Sequence, residues 1–309
     1  MIRMTISSCS ITVAIWLSCA LVFSVIAGQV GPVRVTYQIV DDVGTPVKGS
    51  VIHTLSSWKK AKSKGVTDKH GLFSYKDTIF ISLGCRVQKE GYYDSFGEVW
   101  THAETHERLT SPFTVTQKRI IDPVVLVKKE VRARFPRLDE AIGFDLEMGD
   151  WVAPDGKGKT ADIMLKAARR WVSVFDMDYT VDFVFPNADD GLLRFTVSEN
   201  AYGMKSDLVP PHRAPDNGYT NQFQAFIHRT EGIRHASYSD GNRWVFRVRT
   251  VRNEEGEITS VHYGWMTRDI AASPTKDTLG YVSLFYYWNP DSTSRSLEPK
   301  EIAERQGLD

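Results

Sequence analysis

Residues 171–183 alternate too regularly for anything but extended chain. Trp171, Ser173, Phe175, Met177, Tyr179, Val181 and Phe183 fall on one face; Val172, Val174, Asp176, Asp178, Thr180 and Asp182 fall on the other. A period of two means one buried and one wet face, and a bend near Asp176-Met177-Asp178 would divide the run into a hairpin. Shorter alternating runs recur along the chain between Gly, Asp, Asn and Pro turns, a pattern that predicts an all-β protein.

In the first part, strands are predicted near Val33–Val40, Ser50–Leu55, Leu72–Ile79, Cys85–Lys89, Gly97–Thr101 and Lys118–Val127. Asp122-Pro123 marks an irregularity in the last of these, because proline is tolerated only at an edge or bulge. The charged stretch Lys128–Arg137, ending in Phe135-Pro136, reads as a domain boundary. Beyond it, Arg243–Val251 and Ile258–Trp265 flank the turn Asn253–Gly256 and predict a hairpin. Gly280–Trp288 is apolar on both faces, as a central strand is. The division expected is a signal over 1–27, a β-sandwich over 30–129, a larger antiparallel β domain over 138–296 and a polar tail over 297–309.

The chain has 309 residues with 25% charged, 42% hydrophobic and zero formal net charge. That is ample apolar material for cores, and no global field favours nucleic acid or an anionic membrane. Arg3 is the only charge before Arg34, and the apolar run Ile11–Ala27 lies between them. A positive start, an apolar middle and a small-residue exit make a secretory signal, with Val25-Ile26-Ala27 fitting a cleavage before Gly28 and Ser18-Cys19-Ala20 one before Leu21. The alternative is an uncleaved anchor over residues 11–28, just long enough to span a bilayer. The protein is therefore expected outside the cytoplasm, secreted or periplasmic, or held at a membrane by that segment. Cys9 and Cys19 lie in the signal, so Cys85 is alone afterwards, cannot form an internal disulfide, and reads as a buried structural residue.

Three segments carry a family likeness: Asp42–Gly49, Thr67–Phe73 and Val87–Tyr93. They resemble the carboxypeptidase regulatory-like domain, a transthyretin-like β-sandwich with a carbohydrate-binding-like fold. In this likeness Gly44 and Gly71 supply turn conformations, and Phe73 and Tyr92 plug the sandwich. The second part resembles the C-terminal region of uncharacterised exported bacterial proteins, through Gly149–Pro154 and Gly156–Lys159; that likeness carries no activity. Related adhesin sandwiches are stapled by Lys–Asn isopeptide bonds, but the first strand here lacks Lys and the last has Asp122, so none is expected.

Several motifs invite chemistry. Ala153–Thr160 matches a relaxed phosphate-loop pattern, but such a loop needs a buried strand before it and a helix after it. The only helical stretch available is a brief one, Ala161–Arg170, and nucleotide binding is not expected. His102-Ala103-Glu104-Thr105-His106-Glu107 lacks the glutamate that a zinc-protease helix places directly after its first histidine, and reads as a polar loop. Asp176, Asp178 and Asp182 suggest calcium, yet on a straight strand they stand about 6.6 Å or more apart, too far for one ion. Arg243, Arg247 and Arg249 form a same-face row expected to pair with that aspartate row. Most of the second part's tryptophans alternate inward; Trp151, in a turn, is the one expected to be exposed. The loop Pro210–Tyr219 can shape a pocket or serve as a rigid connector.

The reading that results is a non-enzymatic binding or structural module of the cell envelope, with glycan or envelope protein as partner and no nucleic acid. Its expected ligand-binding residues are Trp151, His212, Arg213 and Tyr219, with no catalytic residue, metal or cofactor. The alternative is a secreted hydrolase with two carboxylates in the second domain. N-terminal sequencing of the mature protein checks the export reading: the first residue is expected to be Gly28 or Leu21, and Met1 in a membrane fraction would refute cleavage.

Overall fold

The computed structural model describes residues 31–56, 62–79, 82–100, 112–197 and 205–306; the signal segment and the His102/His106 motif lie outside them. The regular structure of the described chain is nearly all β, as the alternation predicts. The chain falls into two compact units, one built from residues 1–90, 94–118 and 200–206, the other from 91–93, 119–199 and 207–309.

The first unit holds β1 (Gly31–Val40), β2 (Val51–Ser56), β3 (Lys62–Val66), β4 (Leu72–Ile79), β5 (Ser82–Gln88), β6 (Ser95–Trp100), β7 (Phe113–Thr116) and the short β14 (Lys205–Ser206). They form a three-stranded sheet, β4-β1-β7, and a five-stranded one, β14-β6-β5-β2-β3. Val35, Tyr37 and Ile39 of the first sheet and Ile52, Leu83, Cys85 and Val87 of the second are buried. The turns obey local chemistry. Asp68 accepts the N–H groups of His70 (2.8 Å) and Leu72 (2.9 Å), and Gly71, at φ +71°, has no room for a Cβ, which would meet the Ile39 carbonyl at 2.3 Å. Phe73 and Tyr92 are only half-buried and do not plug this unit. Among the described residues, the fully buried aromatic of the first unit is Tyr37, and the neighbour of Tyr92, Tyr93, is fully buried but belongs to the second unit.

The second unit is a sandwich of two sheets. One is six-stranded, ordered β10-β9-β11-β12-β15-β16, from β9 (Ala141–Asp145), β10 (Asp150–Trp151), β11 (Ile163–Ser173), β12 (Asp176–Val184), β15 (Gln222–Thr230) and β16 (Ile233–Ala236). The other is ordered β13-β17-β18-β20-β19, with β8 paired along β20, from β8 (Val127–Arg134), β13 (Gly191–Thr196), β17 (Asn242–Arg252), β18 (Ile258–Met266), β19 (Ala271–Ser273) and β20 (Tyr281–Trp288). Leu165, Ala167, Tyr179, Val181 and Phe183 of the first sheet meet Trp244, Phe246, Val248, Leu284, Tyr286 and Trp288 of the second in one core.

The second sheet is apolar on its other face too. Val245, Val261, Tyr263, Trp265 and Tyr287 form a separate core with Leu126, Ala214 and Leu297, against which Val209, Tyr219 and Ile302 pack. This face is covered by the 208–220 loop and the C-terminal stretch, which includes α1 (Lys300–Ala303). The segment read as a polar tail thus begins with two buried residues, Leu297 and Glu298.

Four local expectations fail. Lys128–Arg137, read as a boundary, contains β8, paired with β20 from Val127 to Arg134; only Val131 and Ala133 turn inward, so an edge strand with charges on its wet side looks like a linker. Ala161–Arg170 is strand, not helix, because its apolar residues Ile163, Leu165 and Ala167 alternate into the core. The 171–183 run does bend, but earlier than expected: β11 ends at Ser173, a bulge lies between Trp171 and Ser173, and Phe175 sits exposed at the hairpin tip instead of on the buried face. Lys118–Val127 is not a continuous strand and makes only isolated bridges at Arg119 and Val124.

Gly264 sets how closely β17, β18 and β20 pack: a Cβ there would meet the Phe246 ring at 2.1 Å and the Tyr287 carbonyl at 2.2 Å. Gly264→Ala is expected to destabilise the protein by about 3 kcal/mol, read as a lower midpoint in urea unfolding with an unchanged slope.

Candidate functional site

A cleft of about 360 Å³ opens at one end of the β17–β18 hairpin, lined by Asp216, Ile258, Thr259, Ser260, Val261, Tyr263, Ser292, Thr293 and Arg295. Three elements build it. The first residues of β18 supply the floor. The 291–295 turn supplies one wall: the Asp291 carboxylate accepts the backbone N–H (2.9 Å) and hydroxyl (2.7 Å) of Thr293, and these bonds hold its pKa below the ordinary range. Asn289 fixes the turn's other end, donating to the carbonyls of Ser294 (3.3 Å) and Ser296 (3.1 Å).

The second wall is the 212–219 loop, clamped by two arginines. Arg295 donates through Nε to the Ala214 carbonyl at 3.0 Å, through Nη2 to the same carbonyl and through Nη1 to the Asp216 carboxylate. Arg247 donates to the carbonyls of Asp189 (2.6 Å) and Asp216 (3.0 Å), with its guanidinium 4.5 Å from the Tyr219 ring centroid. Backbone carbonyls and a π-face are what let this charge sit buried. The cleft therefore offers one carboxylate, one guanidinium and the hydroxyls of Thr259, Ser260, Ser292 and Thr293.

The four residues expected to bind ligand do not converge. Trp151 is 6% exposed, donates its indole N–H to the Arg134 carbonyl at 2.9 Å and packs between Phe135 and Phe144; its turn folds back into the core, which corrects the expectation of an exposed ring. Tyr219 lies under Arg247 and braces the loop through its hydroxyl on the Pro215 carbonyl (3.0 Å). Arg213 is exposed, with its backbone bridged to Ser296. His212 points to Glu298, its Nδ1 2.7 Å from Oε1. Of the cleft itself, the sequence reading pointed to the Pro210–Tyr219 loop, which carries Asp216, as a shaper of a pocket, and did not single out Ser260, Tyr263 or Arg295.

Glu298 is the hub beside this loop. Its side chain is fully buried, and besides His212 it accepts the Tyr93 hydroxyl (2.9 Å) and the N–H groups of Ile121 (3.1 Å) and Asp122 (3.3 Å). Burial pushes its carboxyl up, but the bonds from His212, Ile121 and Tyr93 together outweigh burial and leave it below the ordinary glutamate range.

The other buried acids are also committed to structure. Asp145 accepts the N–H groups of Met148, Lys159 and Thr160; Asp150 accepts that of Lys157. In the phosphate-loop look-alike, the N–H groups of Lys157, Lys159 and Thr160 are thus bonded to carboxylates, and those of Ala153, Asp155 and Gly158 to backbone carbonyls. Arg249, at φ +57°, breaks the alternation of β17. Arg247 lies with Tyr219, but Arg249 turns over Trp288 at 5.1 Å and reaches Asp162 (2.8 Å), Asp145 (3.1 Å) and Glu147. The expected pairing of the arginine row with Asp176, Asp178 and Asp182 does not occur. Asp176 and Asp178 pair with Arg170 at 2.7 and 2.5 Å, and Asp182 accepts from Gln224 at 2.7 Å. Among the described residues, no three His, Cys, Asp or Glu side chains are arranged to hold a metal ion.

No family model matches the chain and no curated protein matches it, so the carboxypeptidase regulatory-like resemblance rests on its three quoted segments. Among solved structures, the chain is similar to a DUF3823 family protein from Parabacteroides merdae ATCC 43184, at 8% identity and TM-score 0.21 over 88% of this chain and 100% of that one. It is also similar to "a putative carbohydrate binding protein" from Bacteroides uniformis ATCC 8492, at 11% identity and TM-score 0.17 over 83% and 98%. At these scores neither neighbour bears on the fold or the site.

Glu298→Gln is expected to cost about 2 kcal/mol, the scale of hydrogen bonds to a charged group. A carboxylate whose folded pKa is depressed adds stability above its unfolded pKa and loses it as pH falls through the folded one. Wild type is therefore expected to lose stability below about pH 4.3, and the variant to lose less over that window, as followed by urea unfolding between pH 3 and 7.

Proposed function

We propose that this chain is a non-catalytic binding module that holds a glycan in the Asp216–Arg295 cleft. The observation that carries this is the composition of the lining: a carboxylate beside a guanidinium, ringed by four hydroxyls from Thr259, Ser260, Ser292 and Thr293. Adjacent sugar hydroxyls donate to a carboxylate and accept from a guanidinium at once; the Ser260 and Ser292 hydroxyls can do either, and those of Thr259 and Thr293, which donate to the Val251 carbonyl and Asp291, can accept. The volume suits one or two sugar rings. Arg295 and Asp216 keep their geometry without ligand, because the guanidinium is already fixed on the Ala214 carbonyl. The hydrolase alternative needs two carboxylates roughly 5–9 Å apart across a cleft, whereas Asp216 is the one carboxylate in this lining.

The module acts outside the cytoplasm, a reading supported by the signal-like Ile11–Ala27 segment. No helix among the described residues is long and apolar enough to cross a membrane.

A glycan array followed by calorimetry on the best ligand tests the proposal. Asp216→Ala is expected to weaken binding at least tenfold with an unchanged melting temperature. A blank array, or binding indifferent to Asp216→Ala and Thr293→Ala, would overturn the cleft assignment.

A further inference from the structure

The second unit carries an exposed apolar tip far from anything its cores require. Val172 is 65% exposed, Val174 48%, Phe175 64% and Ile233 63%. They sit where two hairpins end side by side: the β11–β12 turn carries Val174 and Phe175, and the β15–β16 turn carries Glu231 and Gly232 just before Ile233. The turns are bonded to each other. The Gly232 N–H donates to the Phe175 carbonyl (3.2 Å) and Arg229 Nη1 to the Val174 carbonyl (2.8 Å). A Cβ at Gly232 would reach only van der Waals contact with the Phe175 ring, at 4.0 Å. The tip is thus one preformed surface built from two turns. Solvent-facing hairpin turns are normally polar, and β11–β12 spends its turn on Val-Phe.

We propose that this tip inserts into the interfacial region of a lipid bilayer. Two arguments select lipid over protein. The first is area. The four side chains expose on the order of 400 Å², the size of patch that marks an interaction site, but a stable protein interface needs about 800 Å² per partner. Lipid needs no complementary surface. The second is charge. Asp176 and Asp178 are taken up by Arg170, and His228 Nδ1 lies 3.0 Å from Asp178. Arg229 and Arg234 then flank the apolar side chains, with Glu231 as the one acid at the turn that no arginine pairs among the described residues. Arg234 is exposed and Arg229 half-buried; cationic groups at the base of an apolar tip meet lipid phosphates as the apolar groups enter the acyl boundary. This surface is separate from residues 11–28, to which the sequence alone tied any membrane contact, and from the cleft.

The test uses full-length protein with Cys9→Ser, Cys19→Ser and Val174→Cys, labelled at residue 174 with an environment-sensitive fluorophore; Cys85 is buried and its thiol is pushed up to about 12 by burial, so it does not compete. The probe is followed with phosphatidylcholine vesicles and with vesicles containing 30% phosphatidylglycerol. A several-fold intensity rise with a blue shift is expected, at lower lipid in the anionic vesicles, and is abolished by Phe175→Asp/Ile233→Asp. The same label at Val43, 83% exposed in the first unit, is expected to stay water-like even if residues 11–28 tether the chain. A water-like signal at residue 174 with both vesicles overturns the proposal. So does a dimer seen by light scattering that Phe175→Asp/Ile233→Asp dissolves, which would assign the tip to a second copy.

Discussion

A sheet apolar on both faces is the constraint from which the second unit follows. In β17, β18 and β20, consecutive residues are buried on opposite sides: Trp244 and Phe246 against the six-stranded sheet, Val245 against the loop cover, with Trp265 and Met266, and Tyr286 and Tyr287, divided the same way. Strands of this kind are stable only when both sides are closed to water. A second sheet closes one side. Irregular chain closes the other, and irregular chain brings backbone polar groups that no ladder satisfies. Arg247, Arg295, Asn289 and Glu298 answer that need, and the cleft lies at the rim of the cover they hold in place.

Alternation was legible wherever both its residues and its turns were ordinary. The β17–β18 hairpin announced itself through Asn253–Gly256, and β20 through an apolar run with no polar face. Legibility failed at β8, an edge strand paired on one side only, since Val131 and Ala133 are too few to set a period. It failed at Phe175, which falls in the β11–β12 turn just past a bulge and so faces solvent, while Met177, Tyr179, Val181 and Phe183 beyond the turn keep the expected buried face. The site was less readable still. Asp216, Tyr263, Ser292 and Arg295 come together only through the fold, and Trp151 was misread because a turn in sequence can still fold inward. The tyrosine that matters, Tyr93, adjoins the one that the family likeness pointed to.

Carboxylates do here much of the work that crosslinks do in other small β proteins. Cys85 is buried in the first unit and offers no staple. Asp41, Asp68, Asp145, Asp162, Asp190, Asp269 and Glu298 each accept backbone N–H groups of turns or irregular segments. Bonds of this kind are stronger than neutral ones. At Asp68, Asp145 and Glu298, where such bonds hold the carboxyl below its ordinary range, they also tie loop conformation to ionisation, and their stabilisation is lost as pH falls through the folded pKa.

The chain path between the two units carries a further consequence. It leaves the first for residues 91–93, returns until 118, and comes back once more for 200–206, where Lys205 and Ser206 extend the five-stranded sheet beside Phe96 and Ser95. Neither body is a cassette that gene shuffling could lift out whole. A break after residue 130 would strip the earlier piece of its last strand and the later piece of Tyr93.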